Sequence, residues 1–108
     1  MKLTVIESPY AGNVAKNLAY ARAALRDSLL RGESPLAFHL LYTQDGVLDD
    51  TLPEERRRGI AAGHAWIEKA DVVAVYGDLG ISYGMRQGIA EAEARKVPVV
   101  YRTIGWAP

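Results

Sequence analysis

Hydrophobic positions along this chain alternate between two spacings. Lys2 to Glu7 ("KLTVIE") is rich in β-branched residues and stops at Ser8-Pro9, the pattern of a first strand. From Asn13 to about Arg31, Val14, Leu18, Ala21, Leu25 and Leu29 recur at helical spacing. With Asn13 as N-cap and Gly32 at the far end, this predicts an amphipathic helix covering a sheet. Leu36 to Tyr42 ("LAFHLLY") is short, apolar and preceded by Pro35, and reads as the second strand. The polar, turn-rich "TQDGVLDDTLPEERRRG" leads into a helix starting at Pro53 and running to Lys69. Ile60, Ala61, His64 and Ile67 share one face of it, with Glu68 at the edge. Asp71 to Gly77 ("DVVAVYG") is continuously apolar, as a central parallel strand buried on both faces would be. Tyr83 to Lys96 is the last helix and Val97 to Arg102 the last strand.

This alternation predicts an α/β fold, a three-layer sandwich of Rossmann or flavodoxin type with right-handed crossovers. The expected sheet is parallel and four-stranded, in the order 2-1-3-4, with residues 1–108 forming one domain. Ligands of such sheets sit beyond the C-terminal strand ends at the topological switch point, here between the first and third strands. That brings "SPYAGN" and "GDLGISYGM" together.

Composition narrows the function. The 13 basic and 13 acidic residues cancel, which argues against sequence-independent binding of a nucleic acid polymer or a membrane surface. An anionic ligand must therefore be held by local geometry. The absence of cysteine removes disulfides, thiolate nucleophiles and Cys-based metal sites, and two isolated histidines without a partnering acid spacing predict no metal. No cofactor is expected. The apolar run in "MKLTVIESPY" is too short for a signal peptide and no segment is long enough to span a bilayer, so the expected location is cytoplasmic.

Both predicted loops suit a phosphate, because glycine lets backbone approach an anion and a following helix points free N–H groups at it. Ser82, Gly84 and the amides of Met85 and Arg86 form the expected cradle, with an ordinary structural turn as the alternative. Tyr10 is read as a ring packing on a base or ribose, the alternative being a cap on the core. Asp78 ends the third strand, where carboxylates tend to face ligand. His64 lies where its helix approaches the expected pocket and is a candidate contact, whereas His39, mid-strand, reads as core. Arg56 to Arg58 either begin a solvated helix or gate an anionic ligand, and Arg86 is placed to do so more directly. Trp66 reads as core or subunit interface and Trp106 as terminal packing.

The stretches "TVIESPYAGN", "AWIEKADVVAVYGD" and "GISYGMRQGIAEAEARKVPVVY" resemble the nucleoside 2-deoxyribosyltransferase superfamily, which includes the deoxynucleoside monophosphate N-glycosidases. "SPYAG", "RAALRDSLLRGESP", "HLLYTQ" and "DLGIS-x-GM" more closely resemble a group of short, often phage-borne members of that fold lacking the catalytic Glu. The resemblance implies a nucleoside or nucleotide pocket and a homo-oligomer, a dimer or larger, whose neighbouring subunit helps close the site. If the chain is phage-encoded, its place is the host cytoplasm. The resemblance also implies that Ser8, Pro9, Tyr10 and Gly12 contact base and sugar, and that Ser82 and Gly84 contact phosphate. The family's nucleophilic Glu falls at Gly88 and its second acid at about Gly63, so both catalytic carboxylates are missing.

Cleaving an N-glycosidic bond builds oxocarbenium character that a carboxylate must stabilise, and glycine cannot do so. The expected function is therefore binding of a nucleotide or nucleotide-derived molecule without turnover, as in sequestering a nucleotide signal such as a cyclic ADP-ribose derivative. The alternative is an N-glycosidase or deoxyribosyltransferase acting through a displaced acid, Asp78 or Glu91. Glu91 also reads as a solvated charge paired with Arg95. A third reading is a scaffold that keeps the fold for assembly alone.

Overall fold

The computed structural model describes residues 1–106. Four strands, β1 (Leu3–Glu7), β2 (Ser34–Leu36), β3 (Val72–Tyr76) and β4 (Val99–Arg102), form a parallel sheet in the order β2-β1-β3-β4. Four helices surround it, α1 (Val14–Leu30), α2 (Phe38–Tyr42), α3 (Pro53–Ile67) and α4 (Tyr83–Ala94). The expected order and α/β layering are those observed. No helix among the described residues is long and apolar enough to cross a membrane.

Strand alternation divides the core in two. Val5, Val73 and Val75 point toward α3 and α4, where they join Ile67, Met85 and Ala92. Ile6, Ala74 and Tyr76 point the other way, onto Tyr20 and Ala24 of α1. All five residues of β3 are buried, as its unbroken apolar run requires of a strand covered on both faces.

The second strand is not where its apolar run suggested. Pairing with β1 is confined to Ser34, Pro35 and Leu36, opposite Leu3, Thr4 and Val5. Pro35 is tolerated there because β2 is the sheet edge. The run Phe38 to Tyr42 forms helix α2 instead, which moves His39 from a strand to a helix. Its residues carry no β-branch, and a short apolar segment of this kind has no periodicity that separates strand from helix. α2 closes the C-terminal end of the sheet, with Phe38 in one half of the core and Leu40 against the other.

α1 begins as its sequence predicts, with the Asn13 side chain accepting from Lys16 N at 3.1 Å. Its buried face, however, is Asn17, Tyr20, Ala21, Ala24 and Ser28, while Val14 and Leu29 of the expected stripe are exposed. Each buried polar group has a partner. Asn17 donates to the Tyr10 and Ala11 carbonyls, the Tyr20 hydroxyl donates to Asp78, and Ser28 donates to Glu33. These bonds make the inward turn of a polar face affordable.

On the α1 side, Arg102 of β4 forms a two-pronged pair with Glu33 at 2.7 and 2.8 Å, and both side chains are nearly covered. The Arg102 hydrogen bonds hold the Glu33 carboxyl down at about 2. Trp106 packs edge-on against Tyr20, as a terminal packing residue. Trp66, by contrast, is half exposed, its indole N–H donating to the Tyr42 hydroxyl at 2.8 Å.

Candidate functional site

The loops after β1 and β3 emerge side by side, since Thr4 to Glu7 pair with Val72 to Val75. Ser8 is buried and Pro9 half-buried, Gly12 is exposed at a φ of +99°, and the two Asn17 bonds fix the carbonyls of the loop between them. The Tyr10 ring stacks on His39 of α2, with centroids 5.6 Å apart and planes inclined by 22°. His39 also lines a small cleft with Arg56, His64, Gly84 and Gln87. The cleft has about 20 Å³ free, room for about one water. His64 additionally lines an open groove between α3 and α4.

The imidazoles are held neutral. His39 is pushed down to about 4, first by burial and then by the charges of Arg56 and His64. His64 is lowered by burial, with Glu91 opposing the shift.

The predicted phosphate cradle is only partly open. Ser82 caps α4, its hydroxyl accepting from Met85 N at 3.2 Å, while Arg86 N donates to the Ser82 carbonyl at 3.0 Å. Those two amides, expected to face an anion, are engaged in the helix cap, and Met85 is wholly buried. Gly84 differs: a Cβ built there would meet nothing within 4 Å, so its backbone borders free space.

Asp78 does not face this cleft. Two residues beyond Tyr76 on the same strand parity, it turns toward α1, where it accepts from the Tyr20 hydroxyl and from the amides of Ile104 and Trp106. Burial disfavours its ionisation, but these bonds outweigh that and hold the carboxyl below its usual range. Glu91 pairs with Arg95 at 3.0 Å, the solvated i,i+4 pair anticipated for it.

The residue that sequence reasoning missed is Glu7. It is fully buried at the end of β1, and neither carboxyl oxygen has a hydrogen-bond partner among the described residues. Desolvation pushes it up to about 8, so it is mostly protonated at neutral pH. It points at Gly88: a Cβ there would lie 2.8 Å from Oε1 and nearer still to the rest of the carboxyl. Gly88 is glycine because a carboxyl from β1 occupies the space. Parity offered the signal, since Glu7 shares the inward face of Val5. Gly63 has a parallel cause, as the Phe38 ring fills the position of its missing side chain.

No curated protein matches the chain in sequence. A solved 2-deoxyribosyltransferase from the psychrotolerant bacterium Bacillus psychrosaccharolyticus has the same fold, with a TM-score of 0.62 at 19% identity. The likeness covers 98% of this chain and 76% of that one. At this identity it speaks for the fold alone. A family model described as a domain of unknown function, DUF7768, matches residues 2–102, from β1 through β4, and the chain belongs to that family.

Proposed function

We propose that the protein binds a nucleotide or nucleotide-derived small molecule beyond the C-terminal ends of β1 and β3 and holds it without turnover. The carrying observation is the run of Tyr10 stacked on His39, with His39 sharing a cleft with Gly84 at the start of α4. An aromatic platform suits a base or ribose, and an open glycine at a helix N-terminus suits a phosphate. On this reading the pocket's use is sequestration of a nucleotide signal such as a cyclic ADP-ribose derivative. Asp78 and Glu91, the carboxylates first considered for turnover, are tied into the fold and into a surface pair. Incubating the protein with a nucleotide panel and reading both bound mass and free base tests this: intact ligand supports it, and released base overturns it.

One observation favours turnover instead. Glu7 is a neutral buried carboxyl beneath the first turns of α4, the protonation state a general acid needs at neutral pH. On this second reading Glu7 is the displaced acid of an N-glycosidase, and Glu7→Gln abolishes base release while the variant still binds.

A homo-oligomer belongs to the first reading. β4 is a sheet edge whose Val100 and Tyr101 are exposed, and such edges are commonly covered. Light scattering at micromolar concentration showing only monomer removes that part.

A further inference from the structure

The cleft beside Gly84 holds one permanent cation, Arg56, and one carboxylate, Asp50, bonded to each other at 2.6 Å. We propose that this cleft is an anion site for a phosphate monoester, in which Asp50 occupies Arg56 as an internal stand-in until the ligand's phosphate displaces it. The proposal deepens the nucleotide-binding reading and rests on it for the rest of the ligand.

Apart from Asp50, the polar groups lining the cleft can all donate. The Arg56 guanidinium, the His39 and His64 imidazoles and the Gln87 amide surround a space that also reaches the Gly84 backbone. Such a set complements a dianion, and only Arg56 in it is fully charged without a ligand. Asp50 comes from a different segment, the turn between α2 and α3. That segment is held by short-range bonds: Asp49 N to Glu55 at 3.0 Å, Thr51 to Asp49, and Leu48 N to the Tyr42 carbonyl at 3.1 Å. The Arg56 side chain is 42% exposed and that of Asp50 19%, so water reaches the guanidinium and screens the half-buried pair in part. A phosphate engages guanidinium through two parallel bonds and with more charge than a carboxylate, so exchange favours the ligand. Asp50 itself lines the cleft, so its release also widens the space.

A dianion in this position changes the histidines. His39 faces Arg56 and His64 of α3 and the Tyr10 ring, and His64 faces Glu91 of α4. A phosphate adds negative charge beside both, which favours their protonated forms over those of the unliganded cleft.

The test is calorimetric titration of the intact protein with inorganic phosphate, a nucleoside monophosphate and the matching nucleoside. Asp50→Asn is expected to tighten phosphate and monophosphate binding by roughly tenfold and Arg56→Ala to weaken both by at least that factor, with Arg56→Lys between them. Thermal melts identify any variant that fails to fold, and Asp50→Asn, a near-isosteric change, carries the test alone if Arg56→Ala does. Equal affinity for nucleoside and monophosphate, with no response to Asp50→Asn, overturns the anion site and leaves the nucleoside pocket standing. Arg56-dependent binding of inorganic phosphate without any nucleotide preference keeps the anion site and overturns the nucleotide reading.

Discussion

Gly63 on α3 and Gly88 on α4 are both buried helical glycines, and each gives its missing side-chain space to a neighbour. The neighbours differ in kind. At Gly63 the visitor is the Phe38 ring, an apolar group among apolar groups, and the notch is packing. At Gly88 it is the Glu7 carboxyl, which has no partner and costs free energy where it stands. Geometry alone therefore does not say why a glycine is present. A notch filled by hydrocarbon reports close packing, and a notch filled by an unsatisfied acid reports a group kept despite its cost, as occurs at functional sites.

The strongest way to break this comparison is Gly88→Glu. A second carboxyl in the space of the first forces α4 away from β1. With overpacking costing about 1–3 kcal/mol before the added polar burial, Tm is expected to fall by about 10 °C or more. Glu7→Ala in the same chain should recover much of the loss by emptying the notch. A melt of Gly88→Glu that matches the parent would show that the Glu7 carboxyl lies elsewhere.

Acidity sharpens the comparison next. Glu7 binds its proton more tightly in the folded chain, at about 8, than the ordinary 4.5 of the unfolded one. The cost of burying it is therefore smallest below 4.5 and grows as pH rises toward 8, by up to ~1.4 kcal/mol per pH unit. Glu33, held down at about 2 by Arg102, works in the opposite sense and loses its contribution as pH falls from 4.5 through 2. Denaturant titrations between pH 5 and 9 should show stability falling with pH in the parent and a flatter profile in Glu7→Gln; identical profiles would reassign the slope to other groups.

Gly63→Ala should cost about 1–3 kcal/mol through collision with Phe38, with no change in pH profile, and Phe38→Leu should relieve part of it. A pH-dependent loss here would erase the distinction between the two notches. The smallest effect on stability is expected at a third glycine, Gly84, which borders open space. Gly84→Val should melt within a few degrees of the parent while weakening any ligand that approaches this backbone, and unchanged affinity would remove the turn from the site.

Much of the fold is legible in the chain. The β-branched run of β1, the apolar run of β3, Asn13 and Pro53 each declare an element or its start by local chemistry. Two things were not legible there, the helical state of Phe38 to Tyr42 and the burial of polar groups. Asn17, Tyr20 and Ser28 lie inward because partners from distant segments satisfy them, so the apolar stripe through Val14 and Leu29 misjudged the α1 face. Glu7 was passed over for the same reason, since a charged residue ending a strand looks solvated until the neighbouring helix is known. The candidate site was half legible: loops and glycines were visible, whereas the Tyr10 and His39 stack required α2 to be a helix.

The Arg102 and Glu33 pair also bears on the order in which the chain takes shape. Its partners are 69 residues apart, and the Asp78 carboxylate waits on amides 26 and 28 residues downstream. β1 can pair with β3 before the rest of the sheet is in place, yet the edge next to β3 and the cover over Tyr20 stay open until residues 102–106 have docked. The protein therefore closes last on its α1 side, and a chain released short of Arg102 would leave the β3 edge and the Tyr20 face uncovered, open to chaperones and to other copies of itself.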